Sequence, residues 1–277
     1  GANVVINADI SATVGKIDMD AKEGIEVSGA ILATGDKDNE ILGGNIELYA
    51  EKSDVTLSNA ELDASANAWA HTSEGDISLT NSSITAGEGV DLYAAADAST
   101  VTMDAGSSIT AGAQVTVSAD GGVTVANISA TDFLLVDVLS GNLGVIGELQ
   151  SDGNIYLSAD DMTIGATVST DDGDIYVFDN FKGINLGGDD SGLSLDADEL
   201  ELLKAADTHA LIIGMGTKYK APSDPEIGSK MGWLQEMPAT TTADINQIGA
   251  AISGSKNVGI ITQAAITRSD LDSYLTI

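Results

Sequence analysis

Aspartates recur at turn positions between residues 151 and 179, where the segment Asp152–Leu157 returns twenty residues later as Asp172–Val177. In neighbouring turns of a repeat, Asp152 and Asp172 would lie about 5 Å apart. Such like charges repel unless a carboxyl pKa rises or a cation binds, and calcium prefers several oxygen ligands. The sequence therefore predicts a calcium site here, unless the carboxylates simply splay into water. The candidate ligands are Asp152, Asp160, Asp161, Asp171, Asp172 and Asp174, with Asp189 and Asp190 as a second site.

Two tyrosines recur in the same motif. Tyr156 and Tyr176 hold equivalent positions and point away from the apolar Ile155 and Ile175. We expect an exposed aromatic ladder, which is either a structural stack or a platform for carbohydrate. These tyrosines are the candidate carbohydrate-binding residues.

Enzymatic chemistry finds little support in the sequence. His71 and His209 stand alone and are interpreted as surface or packing residues. No nucleophile motif, phosphate-binding loop or histidine-rich metal spacing is present. Carboxylates are so abundant that their presence does not identify a hydrolase. We therefore expect a protein that is not an enzyme.

The charge balance excludes several classes of partner. The net charge is −32, and no Lys or Arg occurs from Ser53 to Phe181. Nucleic acid and anionic membrane surfaces require cations on the protein, so neither is an expected partner. The sequence contains no run of eighteen apolar residues, so no membrane-spanning helix is predicted. The chain has no Cys and begins with Gly1, which indicates a processed product or a piece of a longer protein.

The elements that must position these residues are short repeated strands. The anchors Val55–Leu57, Ile77–Leu79, Val101–Met103 and Val123–Val125 stand 22, 24 and 22 residues apart. Met162–Ile164 continues the series, and Leu143–Val145 lies near the missing midpoint. Ile17–Ala21 is interpreted as an earlier relative of the anchors, followed by Ile25–Ser28. A further strand of each unit has a Gly-x-Ile-x-Leu form, as in 44–48, 153–157 and 173–177.

Three short strands per 20–24 residues predict an all-β fold, a right-handed parallel β-helix. Alternate residues face a narrow core of small aliphatic side chains, and Gly or Asn occupies corners where φ is positive. About eight coils fit between Val4 and Val177, which makes a rod of roughly 40 Å. A β-sandwich also has many short strands, but it does not require side chains to recur at this step.

The pattern changes after residue 180, and we divide the chain into a β-helix, residues 1–216, and a C-terminal region, residues 217–277. Leu195–Lys204 predicts a short helix with an acidic first turn, and Leu211–Gly214 predicts a strand that returns to the stack. Short helices are also expected at Thr242–Ile248 and from Ser269. The C-terminal region is either a cap over the last coil or a module for assembly or docking.

The Thr-, Ser- and Asn-rich coils, with Leu195–Leu200 followed by Leu211–Gly214, resemble exoproteins of the filamentous-haemagglutinin type. The resemblance covers roughly residues 1–216, and the Asn-Pro-Asn-Leu motif of that family's secretion domain is missing. It implies a large protein secreted by bacteria to the cell surface and used in adhesion or as a fibre.

From these observations we expect an extracellular structural or adhesive rod that associates end to end into a fibre or binds a glycan or protein of a cell surface. A polysaccharide-binding or polysaccharide-cleaving β-helix is the alternative.

Overall fold

The computed structural model describes residues 2–13, 15–35, 44–179, 184–186, 192–215, 245–248 and 257–261. Their regular structure is β-strand except for one short helix. The first four turns contain β1 (Val4–Ile6), β2 (Ile10–Ala12), β3 (Ile17–Ala21), β4 (Ile25–Ser28), β5 (Ile31–Thr34), β6 (Ile46–Ala50), β7 (Val55–Ser58), β8 (Glu61–Ala64), β9 (Ala68–Thr72), β10 (Ile77–Thr80), β11 (Ser83–Ala86) and β12 (Val90–Ala94). The next four contain β13 (Val101–Met103), β14 (Ser108–Ala111), β15 (Val115–Ala119), β16 (Val123–Val125), β17 (Asn127–Ala130), β18 (Leu134–Val138), β19 (Asn142–Val145), β20 (Leu149–Ser151), β21 (Ile155–Ala159), β22 (Asp161–Ile164), β23 (Val168–Thr170) and β24 (Ile175–Asp179). The remaining elements are β25 (Ile184–Leu186), β26 (Leu193–Leu195), α1 (Ala197–Leu202), β27 (Leu203–Lys204), β28 (Ala210–Met215), β29 (Ile245–Ile248) and β30 (Asn257–Ile261).

Three parallel sheets form the faces of the molecule, and the three strands of each turn belong to three different sheets. Sheet A runs from β1 to β22 through every third strand, sheet B from β2 to β23 and then β27, and sheet C from β3 to β24 and then β28 and β30. The strands β25, β26 and β29 form a separate parallel sheet. The predicted parallel β-helix, with about eight turns up to Val177, is confirmed.

The core consists of columns of equivalent side chains stacked from turn to turn. In sheet A, Ile25, Val55, Ile77, Val101 and Val123 pair in succession, and each is almost completely buried. Because the strands alternate, the residues between these positions face outward. The anchors found in the sequence are therefore one face of this core.

One corner between sheets A and B is held by positive-φ residues, as the sequence predicts. Asn59 and Asn81 have φ angles of 50° and 47°, and Gly29 has a φ of 60° in the preceding turn. Asn tolerates this conformation better than most residues. The Asn81 side-chain amide donates to Asn59 Oδ1 over 2.8 Å, so the corner also forms an amide ladder.

The Asp-Gly turn that recurs in the sequence has a steric cause. A Cβ on Gly153 would collide with the carbonyl oxygen of Asp132, and one on Gly173 would collide with the backbone of Gly153. At these two positions the preceding turn therefore lies too close for a Cβ, and glycine is favoured there.

The prediction that Ile17–Ala21 corresponds to the anchor strands is wrong. Ile17–Ala21 belongs to sheet C, where Ile17 pairs with Ile46, whereas Ile25–Ser28 is the strand that pairs with the Val55 anchor in sheet A. All three strands of a turn share the same apolar-x-apolar pattern. Alternation alone therefore does not identify the sheet to which an isolated strand belongs.

The elements after residue 192 agree in part with the sequence. Helix α1 has Asp196 as its N-cap and Asp198 and Glu199 in its first turn, but it ends at Leu202 and is followed by strand β27. The predicted strand Leu211–Gly214 lies in β28, paired with β24. The predicted helix at Thr242–Ile248 is wrong for residues 245–248, which form β29 beside β25. The helix expected from Ser269 lies outside the described residues.

We expect Gly173→Ala to lower the free energy of unfolding by about 1–3 kcal/mol, because the new methyl group overpacks the corner. Gly144→Ala is the matched control, since its Cβ would meet Thr124 Oγ1 at an ordinary 3.5 Å. Chemical denaturation followed by circular dichroism measures both. Equal stability of the two variants would show that the corner accommodates a side chain.

Candidate functional site

The outward face of sheet C differs chemically from that of sheet A. Corresponding positions of sheet A carry mainly small hydroxyl residues such as Thr56, Ser78 and Thr102. Sheet C instead presents aromatic rings and carboxylates in register. We call this surface face C, and it comprises Asp18, Asp20, Glu47, Tyr49, Trp69, His71, Asp91, Tyr93, Thr116, Ser118, Leu135, Asp137, Tyr156, Ser158, Tyr176 and Phe178.

The predicted tyrosine ladder is present on face C. The rings of Tyr156 and Tyr176 are stacked with centroids 4.8 Å apart and an interplanar angle of 14°, and Phe178 lies 6.0 Å from Tyr176. Tyr176 donates to Asp174 Oδ2 over 3.1 Å. Burial, followed by this hydrogen bond, raises the pKa of Tyr176 to about 12. Since the two rings cover each other's inner faces, the geometry favours a structural stack over a sugar platform at this point.

The corner that precedes β21 and β24 carries several aspartates, and we call it the acidic corner. It places Asp152 and Asp172 in adjacent turns, as predicted. The Asp172 N–H donates to the Asp152 carbonyl oxygen over 2.7 Å, and both side chains are exposed. Asp171 lies beside them and its Oδ2 accepts from the Gln150 amide at 3.4 Å. The carboxylates thus follow one another along the rod as the repeat requires.

A histidine that the sequence analysis treated as isolated completes this corner. His209 Nε2 lies 3.1 Å from Asp172 Oδ1, and His209 Nδ1 lies 3.3 Å from Asp174 Oδ1. Asp174 Oδ1 also accepts the Ala210 N–H at 2.8 Å. The ring therefore links β28 to the turn before β24. No sequence signal identifies this contact, because His209 stands 37 residues from Asp172.

Other predicted ligands have structural hydrogen bonds. Asp161 Oδ1 accepts the N–H groups of Met162 and Ser194 at 2.9 and 3.0 Å, which ties β22 to β26. Asp160 is buried, with 7% of its surface exposed.

Glu199 completes a capping box with Asp196 and also accepts the Ile164 N–H at 3.0 Å, so it connects α1 to β22.

Calcium binding stays a prediction. Among the residues that the structure describes, no group of three or more His, Asp or Glu side chains is arranged to hold a metal ion. Asp189 and Asp190 lie outside the described residues.

A second arrangement occupies the first turns of face C, and we call it the Trp69 cluster: Glu47, Tyr49, Trp69, His71, Asp91 and Tyr93. Trp69 pairs with Glu47 on one side and with Asp91 on the other. His71 Nε2 lies 3.0 Å from Asp91 Oδ2, and its ring contacts Tyr93 edge to face at 5.9 Å. Burial and then Asp91 and Asp120 raise the pKa of Tyr93. Of this group the sequence singles out His71 alone, and a search for rings in every third strand would have found Tyr49, Trp69 and Tyr93 as well.

A buried carboxyl lies in the middle of face C. Asp137 is 5% exposed, and burial raises its pKa to about 6, opposed by a hydrogen bond from Ser158. Its other neighbour in register is Ser118, also 5% exposed. Within the described part of the chain, Ser118 Oγ has no hydrogen-bond partner.

A shallow groove runs over the Asn corner between sheets A and B. Its volume is about 330 Å³, and its lining includes Asn59, Glu61, Asn81, Ser82 and Ser83. Amide, hydroxyl and carboxylate groups therefore face a concave surface that spans several turns.

Comparison with known proteins finds no matching family model, no similar curated protein and no similar solved structure. No helix in the described residues is long and apolar enough to cross a membrane.

We expect Asp137→Asn to stabilise the protein at pH 7. The pKa of Asp137 is higher in the folded state than the ordinary aspartate value of 3.8, so the folded state binds the proton more tightly. The stability that the folded protein gains from holding this proton on Asp137 is present below pH 4 and is lost as the pH rises to about 6. The loss is on the order of 3 kcal/mol.

Unfolding free energies of wild type and Asp137→Asn, measured from pH 4 to pH 7, provide the test. The difference between the two should grow with pH. Asp152→Asn, at an exposed site, controls for the general relief of charge repulsion. A constant difference across the range would contradict the raised pKa.

Proposed function

We propose that this chain is a segment of a non-enzymatic bacterial surface protein of the filamentous-haemagglutinin type, a rod that serves in structure or adhesion outside the cell and associates end to end. The observation that carries the proposal is the stack of three parallel sheets, which a further turn or a second copy can extend in register. Among the described strands, β1, β2 and β3 each pair on one side only. An unpaired edge is a template for another strand.

The hydrogen-bonding groups of this edge are identifiable. Val4 N–H donates to Gly24 and Ile17 N–H donates to Asn45, both in the second turn. Because successive residues of a strand point to opposite sides, the N–H groups of Val5 and Asp18 face the open edge. Val5 is 54% exposed and Ile10 is 38% exposed, so apolar surface accompanies the unpaired backbone.

A second copy that stacked on this edge would extend the sheets without changing their twist or spacing. A head-to-tail contact of this kind does not close on itself and therefore produces filaments. The high negative charge opposes such contacts, since like charges repel. Calcium or high salt would reduce this repulsion between copies. The predicted calcium site would then have a physical role in assembly.

We expect the purified chain to form filaments in calcium or high salt and Val5→Pro to prevent them. Proline removes the edge N–H but leaves the Val4 bond to β4 intact. Val5→Thr, which retains the N–H, is the control. Electron microscopy and sedimentation velocity give the readout, with and without chelator.

Two results would contradict the proposal. One is a monomer in all conditions, and the other is filaments that form equally well with Val5→Pro. Filaments that persist in chelator would remove calcium from the proposal but leave the end-to-end contact.

A polysaccharide-binding role is a second candidate because of the groove at the Asn corner. Amide and hydroxyl groups suit the hydroxyls of a neutral glycan, whereas the acidic surface disfavours an anionic one. Glu61 is the carboxylate of the lining, and glycoside hydrolysis normally uses two, which favours binding over cleavage. A glycan-binding screen with Asn81→Ala tests the candidate, and reducing-sugar release would identify cleavage instead.

A further inference from the structure

The Trp69 cluster places an indole between two carboxylates on the outward side of sheet C. Trp69 is partly exposed, and its register neighbours are Glu47 in β6 and Asp91 in β12. Neither neighbour is aromatic, so the indole is not covered by a ring ladder of the kind seen at Tyr156. Tyr49 and Tyr93 occupy the parallel column two residues along the same strands.

Face C already holds one ammonium group beside this cluster. Lys16 Nζ lies 2.8 Å from Asp18 Oδ2 and 2.9 Å from Glu47 Oε2. The hydrogen bonds to these two carboxylates raise the pKa of Lys16. Lys16 contacts two carboxylates with one positive charge, and Asp91 on the other side of the indole contacts His71, so the surroundings of the indole stay negative.

The cluster is held in place by contacts of its own. His71 fixes the Asp91 carboxylate and packs against the edge of Tyr93. The Tyr49 hydroxyl is hydrogen-bonded to Ser73 Oγ at 2.8 Å. The side chains therefore need little reordering on binding, which reduces the entropic cost.

An independent feature adjoins the cluster. Ser118 follows Tyr93 in register, is 95% buried and, in the described part of the chain, leaves its hydroxyl without a partner. Buried polar groups are nearly always paired, and an unpaired one costs free energy. This hydroxyl is enclosed by the protein, so a bound chain that continued along face C past Tyr93 would reach it only if neighbouring side chains moved apart.

We propose that the Trp69 cluster binds an arginine or lysine side chain of a basic protein segment laid along face C. A cation over the face of an indole is attracted by the ring quadrupole. The carboxylates on both sides would add charge-assisted hydrogen bonds. The net charge of −32 raises the local concentration of basic partners.

Charge decides between this ligand and a glycan. A neutral sugar would use the indole but would gain little from Glu47 and Asp91 as ion partners, and an acidic sugar would be repelled. A guanidinium group uses both the ring and the carboxylates. The proposal does not depend on filament formation, because the cluster lies on a face of the rod.

A labelled hexapeptide of alternating arginine and glycine tests the proposal, with a citrulline peptide as its neutral isostere. Binding is followed by fluorescence anisotropy. In a Trp233→Phe background, Trp69 is the only tryptophan of the chain, and its emission reports direct contact. We expect saturable binding of the arginine peptide, a shift in Trp69 emission, and binding at least tenfold weaker for citrulline.

Protein variants separate the cluster from the general acidic field. Trp69→Leu should weaken binding roughly tenfold, and Glu47→Gln or Asp91→Asn should weaken it several-fold. Glu26→Gln makes the same charge change at an exposed position of sheet A and should leave affinity nearly unchanged. Circular dichroism confirms that each variant is folded.

Three outcomes would overturn the proposal. Equal losses for Glu47→Gln and Glu26→Gln would mean unspecific attraction. An unaffected Trp69→Leu would remove the aromatic contact. Equal binding of the citrulline peptide, or a Trp69 response to neutral oligosaccharide alone, would identify a neutral ligand.

Discussion

Parallel pairing in register between successive turns is the constraint on which this structure depends. Each turn places its residues one strand spacing, about 4.8 Å, from their equivalents, so every side chain has its own counterpart as a neighbour. Apolar residues gain from this arrangement, as the Ile25, Val55 and Ile77 column shows. Amides and rings gain as well, as in the Asn59–Asn81 and Tyr156–Tyr176 contacts.

The same constraint is unfavourable for charge, and the rod resolves the conflict locally. Asp161 and Asp174 accept backbone N–H groups, and His209 lies between Asp172 and Asp174. Asp137 is the exception, since it is buried between two serines. In the column around Trp69, the indole separates Glu47 from Asp91, whereas Asp18 and Glu47 are neighbours and are bridged by Lys16.

The sequence predicts the repeat well because the core, the corners and the glycines all recur at the period of the coil. The pairing of Asp152 with Asp172 and of Tyr156 with Tyr176 follows directly from that period. Contacts made by irregular segments do not follow from it. His209 and Ser194 reach the acidic residues across more than thirty positions, and the Ile17 strand shares its alternation with strands of every sheet.

Calcium binding by the aspartates stays a prediction, but several of them have partners that their spacing does not predict. Their spacing indicates shared ligands, but a carboxylate next to an unpaired backbone N–H is already satisfied by that donor. Such donors arise at Met162, Ser194 and Ala210, where the chain leaves or rejoins the stack. Composition and period carry no information about these places.

The direction of the hydrogen bonds between turns also decides how the rod responds to force. These bonds lie along its long axis, whereas the strands run across it, so a pull on the two ends loads the bonds of one interface at a time. Opening then proceeds as a zipper, turn by turn, because each turn contacts only its neighbours. A released turn of twenty-odd residues lengthens the chain by roughly 70 Å. A tether built in this way lengthens in steps under tension and keeps its remaining turns folded.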